Sequence, residues 1–256
     1  MRSLLAFLKK ECTDQLRSGT LLVIGIIFIL FGVMNPAVAK LTPWLMELFA
    51  ETLEGSGINV TTVTVTAMDS WLQFFKNIPM ALIAFVLIEG LIFTKEYQSG
   101  TLILSLTKGL KRYKVVTSKA AVLIALWTAG YFSCYGITYA YNAYFWDNSV
   151  AHHLFFSVVC WWLFGIFVIS LIVLFSVICR SSSSVYLGCG AAVLAFYLVG
   201  LIPKVGKFMP TALMDGSSLV YGMKQADEYV FALIISLVLT IAAFCASIVL
   251  FNKKQL

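Results

Sequence analysis

Six stretches of the chain each run for about 18 residues or more with hardly a charged side chain, at 21–39, 77–94, 120–146, 154–179, 184–203 and 229–251. About 20 apolar residues in an α-helix cross the hydrocarbon core of a bilayer. With 61% hydrophobic and 12% charged residues, a soluble globule of this length could not cover its surface with polar groups, so the solvent is lipid. The stretches are apolar on every side, without the alternation of a membrane barrel, and only helices then satisfy the backbone amides within each segment. These features predict an all-α membrane protein forming one transmembrane domain over 1–256, with helices at 21–39, 71–94, 120–146, 154–179, 184–203 and 229–251.

Orientation follows from the basic residues, which are retained in the cytosol beside span ends. An even number of spans puts both termini on one side. With the termini inside, Arg2, Lys9, Lys10, Arg17, Lys95, Lys108, Lys111, Arg112, Lys114, Lys119, Arg180, Lys253 and Lys254 are cytosolic, thirteen of the eighteen Lys and Arg. The outer segments 40–70 and 204–228 hold most of the acids. The net charge of +6 therefore expresses topology, and no nucleic-acid partner is expected.

None of the six cysteines falls in an outer loop, so disulfides are not expected, and the adjacent His152 and His153 lack the spacing of metal ligands. Residues 1–19 are too long and too organised for a signal peptide. They predict an interfacial helix with Met1, Leu4, Leu5, Leu8, Cys12 and Leu16 on one arc and Arg2, Lys9, Lys10, Thr13 and Arg17 on the other. A second amphipathic helix of opposite charge is expected over 43–54 in the first outer segment, ended by Gly55-Ser56-Gly57. The structure of 55–70 stays open.

Catalytic constellations are missing: there is no HExxH, no GxSxG and no intramembrane His beside a Ser or Asp. The nearest approach to a phosphate loop, at 200–208, has five residues between its glycines where four are needed, and Phe208 in place of Ser or Thr. No catalytic, cofactor or metal site is expected, and any ATP must bind a separate chain. Glu89 is read as the one acid inside a span, better explained by a hydrogen bond to a neighbouring helix than by ion relay. Gly188 and Ala192, at small-xxx-small spacing, predict a close helix-packing face.

The stretch Glu96-Tyr97-Gln98-Ser99-Gly100-Thr101-Leu102, followed by Leu106, Arg112 and Lys119, resembles the first cytosolic loop of ABC type-2 permeases. In that family an acid after the second span precedes a Gly-Thr pair, a short apolar helix, a basic residue and a Lys opening the third span. One departure is Lys108-Gly109, where many members have a proline. The residues themselves are consistent with such a segment: Gly100 breaks the preceding helix, and Thr101 can cap a new one presenting Leu102, Ile103, Leu106 and Leu110.

The resemblance implies a short coupling helix within 96–112, with Glu96, Ser99, Gly100, Thr101, Leu102 and Leu106 acting on a cytosolic ABC ATPase subunit that carries ATP and Mg. Lys108, Lys111, Arg112 and Lys114 would anchor on inner-leaflet lipid or on that partner. It further implies pairing with a second copy or a related permease, and export of a hydrophobic or amphipathic substrate across a bacterial cell membrane. Amphipathic peptides such as bacteriocins or toxins come first among cargoes, drugs and lipid-like molecules next. The alternative is a stand-alone secondary transporter or channel, which would need more intramembrane polar residues than this chain has.

Overall fold

The computed structural model describes residues 2–53, 64–90, 92–102, 107, 110–179 and 181–254. Helix α1 (Arg2–Arg17) is followed by α2 (Thr20–Leu53), α3 (Ala67–Glu89), the short α4 (Thr94–Ser99), α5 (Arg112–Phe145), α6 (Leu154–Ile178) and α7 (Ser182–Gly200). Short turns lead to α8 (Pro203–Gly206), 310 turns at Pro210–Met214 and Ala226–Tyr229 flank α9 (Gly216–Val220), and α10 (Val230–Lys253) closes the chain. Among the described residues, six helical segments are long and apolar enough to span a membrane: Thr20–Leu48, Ala67–Glu89, Arg112–Phe145, Leu154–Ile178, Ser182–Gly200 and Ala226–Lys253. The described residues contain no strand.

The spans match the apolar stretches in number and place, but their ends differ. Helix α2 runs on through Pro36 and Pro43 to Leu53, so the outer amphipathic helix expected over 43–54 is an extension of the first span. A proline removes an N–H and orphans the carbonyl four residues earlier, which for Pro36 is that of Gly32. Thr138 of α5 donates its hydroxyl to that carbonyl at 3.1 Å. Asn35 in turn donates to Thr138 at 3.1 Å and accepts from Asn77 of α3 at 2.9 Å, so one polar chain ties the first three spans. In lipid such re-satisfied groups let a helix keep its proline.

Helix α3 begins at Ala67, where the Thr66 amide donates to the Asp69 carboxylate at 2.8 Å, and ends at Glu89. It stops five residues before the expected Thr94 because the chain turns at Gly90, where a Cβ would come within 2.5 Å of the Tyr186 ring. Glu89 therefore closes the helix and is not a mid-span acid. Helix α5 starts eight residues before the expected Ala120, placing Arg112 and Lys114 inside the helix itself.

Helix α6 is the most enclosed span, packed chiefly against α10 and also against α5 and α7. The buried face of α10 carries Ala232, Ser236, Thr240, Ala243 and Ser247, a run of small residues. Helix α7 is peripheral, with only Val185 and Cys189 buried. Gly188 lies on its inward side, where a Cβ would meet the Phe175 ring of α6 at 2.5 Å, and Ala192 packs against the core one turn further. Gly188→Val is expected to cost about 1–3 kcal/mol by overpacking, measured by thermal unfolding in detergent. A change under about 0.5 kcal/mol would show that α7 is free to move outward.

Candidate functional site

Both termini, α1, α4 and the start of α5 lie at one end of the bundle, and ionised side chains converge there. Phe7 and Glu11 are buried toward the bundle and Gln15 follows one turn on, whereas Leu5 and Leu16 remain 62% and 63% exposed. The packed edge therefore lies beside the expected apolar arc, of which Leu4 and Leu8 are half-buried and Leu5, Cys12 and Leu16 exposed.

Lys119, two turns into α5, is 1% exposed, and Glu11 is 4% exposed. The Lys119 ammonium lies 2.8 Å from the Glu11 carboxylate and 3.0 Å from that of Glu96. It also donates to the Ile92 carbonyl at 3.2 Å and sits 5.6 Å from the centre of the Phe93 ring. Buried charges persist only when paired and hydrogen-bonded, and these contacts provide both. Lys10 approaches from the open side, 2.5 Å from Glu96, 3.1 Å from Glu11 and 2.9 Å from Asp14. Partial burial works against its charge, but the hydrogen bonds to Glu96 and Asp14 and the nearby Glu11 outweigh it, holding the ammonium above the ordinary lysine value. Gln15 donates to Glu89 at 2.8 Å. Glu11, Asp14, Gln15, Glu89, Glu96 and Lys119 line a cavity of about 200 Å3 between α1 and the 89–96 turn. Among the described residues no group of three or more His, Cys, Asp or Glu is placed to hold a metal ion.

A second brace comes from the C-terminus. Arg112 donates to the carbonyls of Phe251, Asn252 and Lys254, the last turn of α10. Lys254 caps the end of α6 through the Val177 and Cys179 carbonyls and lies 4.7 Å above the Tyr97 ring of α4. Each cation sits where a helix C-terminus presents free carbonyls and partial negative charge. From α7, Ser182 donates to the Thr94 hydroxyl at 3.1 Å and Tyr186 to the Leu87 carbonyl at 2.8 Å. The 94–102 segment is thereby held by α1, α5, α7 and the C-terminus.

Gly100 adopts φ +68°, the left-handed conformation that ends α4. Thr101 is exposed. Leu102 is fully buried in the chain's own core, so it shapes the segment from within and cannot touch a partner. Glu96 is likewise turned inward by its ion pairs. The Ser99 side chain, Leu106 and Lys108 lie outside the described residues. Of the expected anchors, Lys111 is exposed, Lys114 bonds Ser3 at 2.5 Å, and Arg112 is engaged by the α10 carbonyls.

A family model described as ABC-2 family transporter protein matches residues 5–256. The chain belongs to this family. ABC-2 proteins are the membrane components of ABC transporters and carry no ATPase activity of their own, so membership implies an ABC ATPase partner. A protein of Bacillus subtilis (strain 168), the "Uncharacterized transmembrane protein YxlG", is 22% identical over 241 residues, covering 93% of this chain and 92% of its own. No solved structure matches.

Glu11 and Gln15 have no part in the sequence pattern described above, and Lys10 and Lys254 enter it only as cytosolic charges. One signal was available: Phe7, Glu11 and Gln15 recur every four residues, placing an acid on the same helical edge as a large apolar residue.

Proposed function

We propose that the chain is the permease subunit of an ATP-driven exporter, with its charged end in the cytosol of a bacterium and both termini inside. A separate cytosolic ATPase subunit carries ATP and Mg, and a second copy or a related permease completes the pore. The cargo is hydrophobic or amphipathic, with peptides of the toxin or bacteriocin kind first and drugs or lipid-like molecules next.

The observation that supports this reading is the Lys119–Glu96–Lys10–Glu11 network. A partner pressing on 94–102 moves α1 and α5 with it, because the connection is buried and ionic. ATP drives such a cycle only if it favours the closed ATPase dimer over the open one, and stiffness at the contact preserves that difference. Thr101 is exposed beside the positive-φ Gly100 and is the contact residue of choice.

Thr101→Trp is expected to lower ATP-coupled transport at least tenfold in vesicles containing both subunits, with thermal stability unchanged. An ATPase chain should co-purify stoichiometrically with the wild type. Transport by the isolated chain in vesicles free of ATP would refute the proposal in favour of a stand-alone carrier.

A further inference from the structure

The short helix α4 presents neighbouring side chains to different parts of the bundle. Successive residues on an α-helix point about 100° apart. Glu96 turns to α1 and α5 through its ion pairs with Lys10 and Lys119. Tyr97, the next residue, is half-buried against the core and has the Lys254 ammonium 4.7 Å from its ring centre. Lys254 follows the last residue of α10, and its ammonium also donates to the Val177 and Cys179 carbonyls at the end of α6. One side chain carried by α10 therefore touches both α4 and α6, and α6 itself packs chiefly against α10.

The backbone around Lys254 is fixed separately. Arg112 of α5 donates to the carbonyls of Phe251, Asn252 and Lys254, and the Lys254 amide donates to the Phe251 carbonyl at 3.4 Å. None of these bonds uses the Lys254 side chain, so its ammonium is not what docks the C-terminal turn. What the ammonium adds is a link between α4 and α6. A cation within about 6 Å of a ring centre is attracted to the ring face, and the free carbonyls at a helix C-terminus present partial negative charge. The ring and the carbonyls lie on different elements, so a cation held by both resists their separation.

We propose that Lys254 is a positioning residue that carries movement of α4 to the ends of α6 and α10 nearest the termini, with Tyr97 as its contact on α4. The inference rests on the reading of the chain as an ATP-driven permease and adds a second branch to it. Glu96 passes the displacement of α4 to α1 and α5, and Tyr97 passes it to α6 and α10, so helices from both halves of the chain answer to one contact. The chemistry of the link sets which substitutions it tolerates. Lys254→Arg keeps it, because a guanidinium also donates to carbonyls and stacks on aromatic rings. Tyr97→Phe keeps the ring face. Lys254→Met retains the length of the stem without the cation, and Tyr97→Leu removes the ring.

Hydrogen–deuterium exchange of the assembled complex of permease and ATPase, read without nucleotide and after trapping with ATP and vanadate, tests this without a cargo. In the wild type, trapping should change exchange at the ends of α6 and α10 as well as in α1 and the start of α5. Lys254→Met and Tyr97→Leu should each shrink the nucleotide-dependent difference at α6 and α10 at least about threefold, the weight of one cation–π contact, and leave that of α1 in place. The double variant should do no worse than either single one. Lys254→Arg and Tyr97→Phe should respond as the wild type does. A merely structural role would shift exchange alike with and without nucleotide and leave the difference untouched. Should Lys254→Met fail to assemble, Tyr97→Leu set against Tyr97→Phe decides. An undiminished response at α6 and α10 in the Met and Leu variants, loss of the α1 response along with theirs, or a wild type that responds in α1 and α5 alone overturns the proposal and leaves the permease reading standing. A wild-type complex that responds nowhere overturns both.

Discussion

Replacing Lys119 with Met is expected to destabilise the protein by about 3–5 kcal/mol, the cost of breaking a buried ion pair from one side. Met nearly matches the length of the stem but leaves the Glu11 and Glu96 carboxylates without their shared ammonium. Lys10 cannot replace it, because it reaches the pair from the exposed side. Adding Glu11→Gln and Glu96→Gln to Lys119→Met should recover most of the loss, since a neutral buried cluster needs no counter-charge. Thermal unfolding in detergent reads both steps. A single-variant loss below about 1 kcal/mol would mean that the network is wet and too loose to transmit force, and the coupling proposal would lose its support.

Thr138→Val is expected to cost about 2–4 kcal/mol, although the side chains are close in shape. Its hydroxyl both donates to the Gly32 carbonyl and accepts from Asn35, so the change orphans two buried groups at about 1–2 kcal/mol each. Pro36→Ala should rescue half of this, because an alanine N–H restores the bond to Gly32 within the helix. No rescue in the double variant would show that Thr138 matters for its contact with Asn35 alone. The measurement is again thermal unfolding, with the four variants forming a double-mutant cycle.

The six spans were legible because a run of apolar residues needs no partner to declare itself. Their ends were not. Where α3 begins depends on the Thr66–Asp69 contact and where it stops on Gly90 meeting Tyr186, and the second of these requires knowing which helix lies alongside. Helix α2 keeps Pro36 because Thr138 of α5 satisfies the freed Gly32 carbonyl, a contact that no local pattern announces. The 96–102 stretch stood out as a motif, but the pairing of Glu96 with Lys119 and Lys10 is tertiary. The apolar helix face meant for a partner showed the same limit: at Leu102 a buried face looks identical in sequence whether it faces the chain's own core or another protein.

Glu11 and Lys119 are separated by 108 residues. Synthesis proceeds at about 5–20 residues per second, so the carboxylate waits roughly 5–20 s before its ammonium has been made. During that interval α1 cannot adopt its final position, and the first two spans enter the membrane with the N-terminal helix undocked. Closure of the N-terminus onto this pair therefore waits for synthesis of the start of α5. A chain stalled after Glu89 would expose Phe7 and Glu11 to any quality-control protease on that side of the membrane.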